Sequence, residues 1–163
     1  MSTFIGSLNL GIIQDWYTKN RDPEQLDILL NKFKREEYCL DEKSGLFVKP
    51  HFNNRVARKL GYTIINLVFL RPSDYHVHNQ MTEAIKVLNG RGKLITGSEN
   101  KEEEFLREGS QVYIEKGLPH AFCPCRSSFL EIEVACTEIY DKNQEVTLIS
   151  FNRFEPWKIE FEK

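Results

Sequence analysis

The fold is decided by the stretch 76-HVHNQMTEAIKVLNG-90. On a β-strand, residues i and i+2 point to the same face, so His76 and His78 are expected to present two imidazoles to one point. Glu83 follows at the start of the next predicted strand. Because neighbouring strands lie about 4.8 Å apart, its carboxylate can reach the same point. The stretch ends at Asn89-Gly90, which together with Gly92 predicts a tight turn.

A second stretch, 109-GSQVYIEKGLPH-120, completes the pattern. Gly117 and Pro119 predict a turn, after which His120 begins another strand. Three neutral imidazoles and one carboxylate suit a borderline divalent metal ion. Each piece alone is weak, but the joint spacing predicts a metal site formed by His76, His78, Glu83 and His120. Four protein ligands leave one or two positions for water or substrate, as in catalytic metal sites.

Short strand-like runs surround both stretches from residue 45 onward. In the run 130–136, apolar and other residues alternate, which predicts a strand with one buried and one wet face. Residues 98–104 predict a solvated acidic loop. Many short strands at regular spacing favour an all-β sandwich or barrel. The predicted strands are 46–48, 62–70, 76–78, 83–88, 93–96, 111–115, 121–125, 129–137, 145–151 and 157–161.

The N-terminal part has a helical pattern instead. Residues 8–17 are weakly periodic, whereas 22–33 carry a capping residue, a proline at the first helical position and an amphipathic stripe. We expect the second helix to pack outside the main domain, with a dimer contact as the alternative. The chain is therefore divided into a helical extension, 1–44, and a β-barrel, 45–163, within one structural domain. The apolar stripe consists of Leu26, Leu29, Leu30 and Phe33.

Composition narrows the functional classes. The 163 residues are 40% hydrophobic and 28% charged, as in a soluble globular domain. The net charge of -2, without a basic stripe, argues against nucleic acid as a partner. No apolar run approaches the ~20 residues of a membrane helix. The N-terminus lacks a secretory pattern, so we expect no membrane partner and a cytoplasmic location.

The four cysteines are expected to be reduced, as is usual in the cytosol. Cys123 and Cys125 could form a metal or redox pair, but plain structural thiols are the favoured interpretation. Strand parity counted from His120 turns Phe122 inward and both of these cysteines to the opposite face.

The two stretches resemble the two sequence motifs of the cupin superfamily, written H-x-H-x4-E-x6-G and G-x7-G-x2-H. This chain has Glu115 where the family usually has proline, and Pro124 where it often has asparagine; neither is a predicted ligand. From the start of the first motif to the end of the second, the resemblance spans about a quarter of the chain. The resemblance implies a jelly-roll barrel enclosing one divalent metal ion (Fe, Mn, Zn or Ni). It also implies a homodimer, and it does not extend to the N-terminal helices.

Cupins include dioxygenases, sugar isomerases and epimerases, decarboxylases and binding modules without catalysis. Retention of all four ligands favours a metal-dependent enzyme acting on a small polar molecule. An Fe(II) dioxygenase is placed first and an isomerase, epimerase or lyase second. A non-catalytic metal- or ligand-binding regulatory module is the third hypothesis. Glu83 is assigned a catalytic role besides its role as a ligand.

Three further residues are candidates for substrate binding. Gln111 and Tyr113 share strand parity and are expected to face the cavity, although Tyr113 is equally plausible as core. Asn66 interrupts an apolar run, which makes it a candidate cavity residue. His51, outside both motifs, is expected at the surface, with the barrel mouth as the alternative.

Overall fold

The computed structural model describes residues 23–40, 46–125, 129–137 and 145–149. The predicted helix 8–17 and the predicted strand 157–161 lie outside these residues. Within the described residues there are two helices and ten strands. The helices are α1 (Pro23–Arg35) and α2 (Asn54–Lys59). The strands are β1 (Cys39–Leu40), β2 (Phe47–Pro50), β3 (Thr63–Phe69), β4 (Tyr75–His78), β5 (Glu83–Thr96), β6 (Glu102–Arg107), β7 (Gln111–Ile114), β8 (His120–Pro124), β9 (Leu130–Cys136) and β10 (Glu145–Ile149).

The strands form two antiparallel sheets that share β5. The first sheet has the order β1-β2-β3-β9-β5, with β7 on the other side of β5. The second has the order β10-β4-β8-β5, with β6 on the other side of β5. The N-terminal part of β5 belongs to the first sheet and its C-terminal part to the second. The predicted all-β jelly-roll architecture is confirmed.

The predicted turn at Asn89-Gly90 is wrong, because β5 runs through it without a break from Glu83 to Thr96. The register against β9 shifts between Val87 and Asn89, so Leu88 is an extra, bulged residue. A bulge bends its strand and reverses the parity of the residues beyond it. Ile85 therefore faces the interior before the bulge and Leu94 after it.

The main core lies between the two sheets. Apolar side chains from both enter one cluster, and the Phe69 ring of the first sheet stacks on the Phe122 ring of the second at 5.1 Å. The predicted alternation on β9 is confirmed, since Leu130, Ile132, Val134 and Cys136 are buried between half-buried neighbours. The sheets thus face each other as the two walls of a barrel.

Helix α1 covers the outer face of the first sheet, which confirms the predicted packing. Leu26, Leu29 and Phe33 are buried against Phe47 and Val68. Full burial of one such side chain contributes about 1.5–3 kcal/mol relative to exposure. The sheet begins inside the predicted extension, because the short strand β1 already pairs with β2.

Two elements differ from the sequence prediction. Helix α2 was not predicted; at six residues it is too short for a clear periodic signal. Strand β6 begins at Glu102, inside the predicted loop, although its acidic side chains are solvated as expected. Among the described residues, no helix combines the length and apolarity that crossing a bilayer would require.

Gly90 holds the bend of β5 close to β9. Its φ is +85°, and a Cβ built there would collide with the Phe129 carbonyl oxygen. Gly109 has nearly the same φ, +88°, but open space around its Cβ position. Comparing substitutions at the two glycines therefore distinguishes the cost of a left-handed backbone from the cost of the steric collision.

We predict that Gly90→Ala lowers the free energy of unfolding by at least ~3 kcal/mol, because β9 must move to admit the methyl group. Gly109→Ala should cost only the ~1–2 kcal/mol of a left-handed alanine. Urea unfolding followed by circular dichroism measures both values. Equal losses in the two variants would contradict the close approach.

Candidate metal centre

Three histidines converge on one point inside the barrel. His76 and His78 lie on β4, whose alternation turns both rings to the same face. His120 opens β8 and sits directly opposite His76 in the antiparallel pair. One ring nitrogen from each lies within 4.8 Å of the others. Two ligands on opposite sides of a metal ion are separated by roughly 4 Å, so these three imidazoles could bind one ion.

Backbone carbonyls orient two of these rings. His76 Nδ1 lies 2.8 Å from the Asp74 carbonyl oxygen, and His120 Nδ1 lies 2.9 Å from that of Leu118. A carbonyl only accepts hydrogen bonds, so Nδ1 donates in both rings and Nε2 of a neutral ring carries the lone pair. Metal-bound histidines usually have such a partner, which fixes the tautomer and the ring orientation.

Glu83 approaches the same point from the other sheet. It lies on β5 between Ile114 of β7 and Cys136 of β9, in the first sheet. Its Oε1 is 3.4 Å from His78 Nε2 and 3.2 Å from His120 Nε2. The structure therefore groups the three predicted histidines and places Glu83 within 3.4 Å of two of them. The expected route was wrong, because Glu83 reaches across the barrel rather than from a strand paired with β4.

The contact between Glu83 and His120 is unfavourable without a cation. Glu83 Oε1 and His120 Nε2 are both buried, and neither has a hydrogen-bond partner. With Nδ1 as the donor, the His120 lone pair points at a carboxylate oxygen, so two acceptors face each other. A buried polar atom left in this way is costly. A proton on His120 Nε2 or a metal ion between the two atoms would satisfy both, so the residues present fit a divalent ion.

The carboxyl group is ionised at neutral pH. Burial acts to raise the pKa of Glu83, but protonated imidazoles beside it outweigh burial, His120 first through a hydrogen bond and its charge, and then His78 and His76 through their charges. Its pKa is therefore held below its ordinary value. Glu83 supplies the negative charge that three neutral imidazoles lack.

A cavity of about 580 Å³ opens beside these side chains, with His76, His78 and Glu83 on its wall. This volume lies within the range of small-molecule sites. Sequence reasoning missed several residues of the wall, including Arg71, Ser73 and Cys136. Arg71 had a detectable signal, because it is a single charged residue between the apolar run of β3 and Pro72.

The three predicted substrate residues do not line this cavity. On β7, Val112 and Ile114 turn inward, whereas Gln111 and Tyr113 are exposed, Tyr113 at 64%. On β3, the neighbours of Asn66 on either side line the cavity, so Asn66 faces the outside, next to Tyr38. All three predictions were wrong, because parity shows which residues share a face but not which face is internal.

His51 lies outside the metal centre. Its side chain is 11% exposed, and its Nε2 lies 3.2 Å from Glu133 Oε2 on the outer face of β9. Its Nδ1 accepts a hydrogen bond from the Asn53 backbone N–H. The predicted surface position is thus only partly exposed.

Neither a protein-family model nor a curated protein matches this sequence. Solved structures do match. A cupin-like protein from Thermotoga maritima is 18% identical over 72% of this chain and 86% of its own, with a TM-score of 0.53. A variant of Bacillus subtilis oxalate decarboxylase is 16% identical, with a TM-score of 0.56. A Streptomyces protein solved with uridine is 12% identical over 71% of this chain and 88% of its own, with a TM-score of 0.54.

The chain has the cupin fold. The match to oxalate decarboxylase covers 68% of this chain but only 30% of the longer chain. At these identities the likeness establishes the fold alone. The chemistry of this protein has to be argued from its own side chains.

The cysteines are free, as predicted. Cys123 and Cys125 are buried outside the histidine group, while Phe122, the residue before Cys123, joins the main core. Cys136 lines the cavity, where burial first, and then the charge of Glu83, raises its pKa to about 12. Cys39 is exposed.

We therefore predict that iodoacetamide at pH 8 labels Cys39 alone in the native protein. The other three thiols should react only after unfolding in denaturant, because they are buried and the Cys136 thiol stays protonated at this pH. Mass spectrometry of tryptic peptides locates each label. Labelling of Cys136 as fast as that of Cys39 would show that the cavity is open to the reagent and the thiol ionised.

Proposed function

We propose that this cupin is a divalent-metal-dependent enzyme in which His76, His78, Glu83 and His120 hold the ion. The observation that carries the proposal is the buried meeting of Glu83 Oε1 with His120 Nε2, two atoms without hydrogen bonds that a divalent ion between them would satisfy. Imidazole and carboxylate ligands suit iron, manganese, zinc and nickel. An Fe(II) dioxygenase is the leading candidate within this class.

The cavity supports an enzyme over a binding module that holds metal alone. A barrel filled with side chains would leave no room for a second molecule, whereas this one has about 580 Å³ beside the candidate ligands. The mostly apolar lining would restrict water around the ligands once a substrate is bound. A ferrous ion bound here would supply open positions for a substrate and dioxygen.

The four side chains have distinct tasks in this proposal. The Asp74 and Leu118 carbonyls hold the His76 and His120 rings in the tautomer that presents Nε2. Glu83 offsets half the charge of a divalent ion, and its strength as a donor depends on remaining ionised. As a carboxylate on the cavity wall, it can also accept a proton from a bound substrate.

A metal-dependent lyase or isomerase is the second candidate. It is favoured by the likeness to oxalate decarboxylase, whose name describes loss of carbon dioxide rather than oxygenation. Such a reaction uses the ion as a Lewis acid on a carbonyl or carboxylate oxygen. The metal in the purified protein separates the two, together with the response of ferrous protein to nitric oxide in electron paramagnetic resonance.

We predict about one divalent ion per chain by elemental analysis of freshly purified protein. The double variant His76→Ala with His78→Ala should contain less than a tenth of that amount, because two of the four donors are lost. His51→Ala is the matched control, since His51 is the remaining histidine of the four. It should retain full occupancy; wild-type occupancy in the double variant would place the ion elsewhere.

Glu83→Gln should keep the shape of the site but remove its only anionic ligand. We expect a metal affinity at least tenfold lower, and a changed nitrosyl spectrum in whatever ferrous protein still forms. For wild-type protein at an ion concentration of 100 Kd, binding contributes about 2.7 kcal/mol, a rise in Tm of roughly 5–10 °C. A similar rise in Glu83→Gln at that concentration would show that the carboxylate is not a ligand.

A further inference from the structure

The wall of the cavity facing the histidines is apolar. It is formed by inward side chains of β2, β3 and β9, all in the first sheet. A ligand gains free energy at such a wall only by burying apolar surface of its own, about 25 cal/mol per Å². The side chains concerned are Val48, Pro50, Ile65, Leu67 and Val134.

The charged side chains around the cavity sum to zero, so a bound metal ion would make the cavity positive. Among the described residues on its wall, the charged side chains are Arg58, Arg71, Asp74 and Glu83. The two guanidinium groups and the two carboxylates cancel. Histidines that bind a metal are neutral, so a divalent ion would leave two positive charges in a poorly hydrated space. A negatively charged ligand would offset this excess.

Arg71 places one of these charges inside the protein. Its side chain is 5% exposed, and its Nη1 donates a 2.7 Å hydrogen bond to the Pro72 carbonyl oxygen. Burial acts to lower its pKa, and Asp74 offsets this only in part, so the pKa is about 10. Arg71 is still a cation at neutral pH, and a nearby anion would stabilise it further.

The segment that carries Arg71 is tied to the strand of His120. Ser73 Oγ accepts a hydrogen bond from the Phe122 backbone N–H, and the Ser73 N–H donates to the Phe122 carbonyl oxygen, both at 2.9 Å. Phe122 is two residues beyond His120 on β8. The buried cation and the candidate ligands are therefore fixed to one framework, opposite the apolar wall.

We propose that the substrate is a small organic carboxylate with an apolar body. Its carboxylate lies between the ion and Arg71, and its body lies against the apolar wall. The assignment of the ion rests on the proposed function, whereas Arg71 and the wall do not. This substrate is more apolar than the small polar molecule expected from the sequence. A neutral apolar compound would not offset the positive charge of the ion and Arg71. A compact dianion would not bury apolar surface against the apolar wall.

Isothermal titration calorimetry of zinc-loaded protein tests the substrate class with matched probes. These are phenylacetate and 4-methylpentanoate, the primary amide of each, and malonate. Each carboxylate should bind at least tenfold more tightly than its amide and than malonate. The inference is overturned if acid and amide bind equally, if malonate binds most tightly, or if neither carboxylate binds.

Two variants test separately where the carboxylate and the apolar body of the ligand bind. Arg71→Gln should weaken phenylacetate at least tenfold and leave phenylacetamide and the zinc content unchanged, whereas Arg71→Lys should recover part of the loss. Leu67→Asn should weaken 4-methylpentanoate, and Arg107→Gln, an exposed arginine of β6 outside the cavity, should change nothing. Unchanged phenylacetate affinity in folded Arg71→Gln overturns the inference. If Arg71→Gln fails to fold, an unchanged affinity of Leu67→Asn for 4-methylpentanoate overturns the inference instead.

Zinc content, measured first, separates the two proposals. Wild-type protein that takes up no zinc, iron, manganese or nickel would overturn the proposed function. Zinc-loaded protein without a preference for acid over amide would overturn the substrate class alone. Acid preference that depends on Arg71 in metal-free protein would support the carboxylate site and leave the ion in question.

Discussion

The bend of β5 is the constraint on which the rest of the structure depends. Thirteen residue steps separate Glu83 from Thr96, which would span roughly 43 Å in a straight strand. Thr96 pairs with His120, yet Glu83 Oε1 lies 3.2 Å from the ring of that same histidine. The strand must therefore bend strongly, and the bulge at Leu88 with the left-handed Gly90 provides the bend. Both sheets include this one strand.

The same bend brings the ionisable side chains of the interior together. The histidines belong to one sheet and the carboxylate to the other, so their meeting depends on the sheets closing. On the outer faces, two polar pairs are formed within the chain: Tyr38 donates a 2.6 Å hydrogen bond to Glu131, and His51 lies beside Glu133. Inside, Glu83 Oε1 and His120 Nε2 have no such partner. The proposed metal ion would satisfy both atoms.

The sequence predicted what depends on neighbours along the chain. The shared face of His76 and His78, the alternation of β9 and the apolar stripe of α1 follow from local periodicity, and all three are observed. Asn66 and Tyr113 were misplaced because the inner face of a strand is set by the opposite wall. Gly90 was taken for a turn because its left-handed backbone serves a hairpin and a bulge equally. Glu83 was expected beside the histidines and lies there, but it arrives from the opposite sheet, since nothing local encodes the closure of the barrel.

The division of the cavity between two sheets has a consequence for how this molecule can diversify. The imidazoles come from β4 and β8, whereas the apolar wall comes from β2, β3 and β9. Substitutions at Val48, Ile65 or Leu67 would reshape the room for a ligand without touching the strands that carry the imidazoles. Selection, or a laboratory library randomised at these positions, could therefore change which ligands fit the cavity while the proposed metal ligands stay the same.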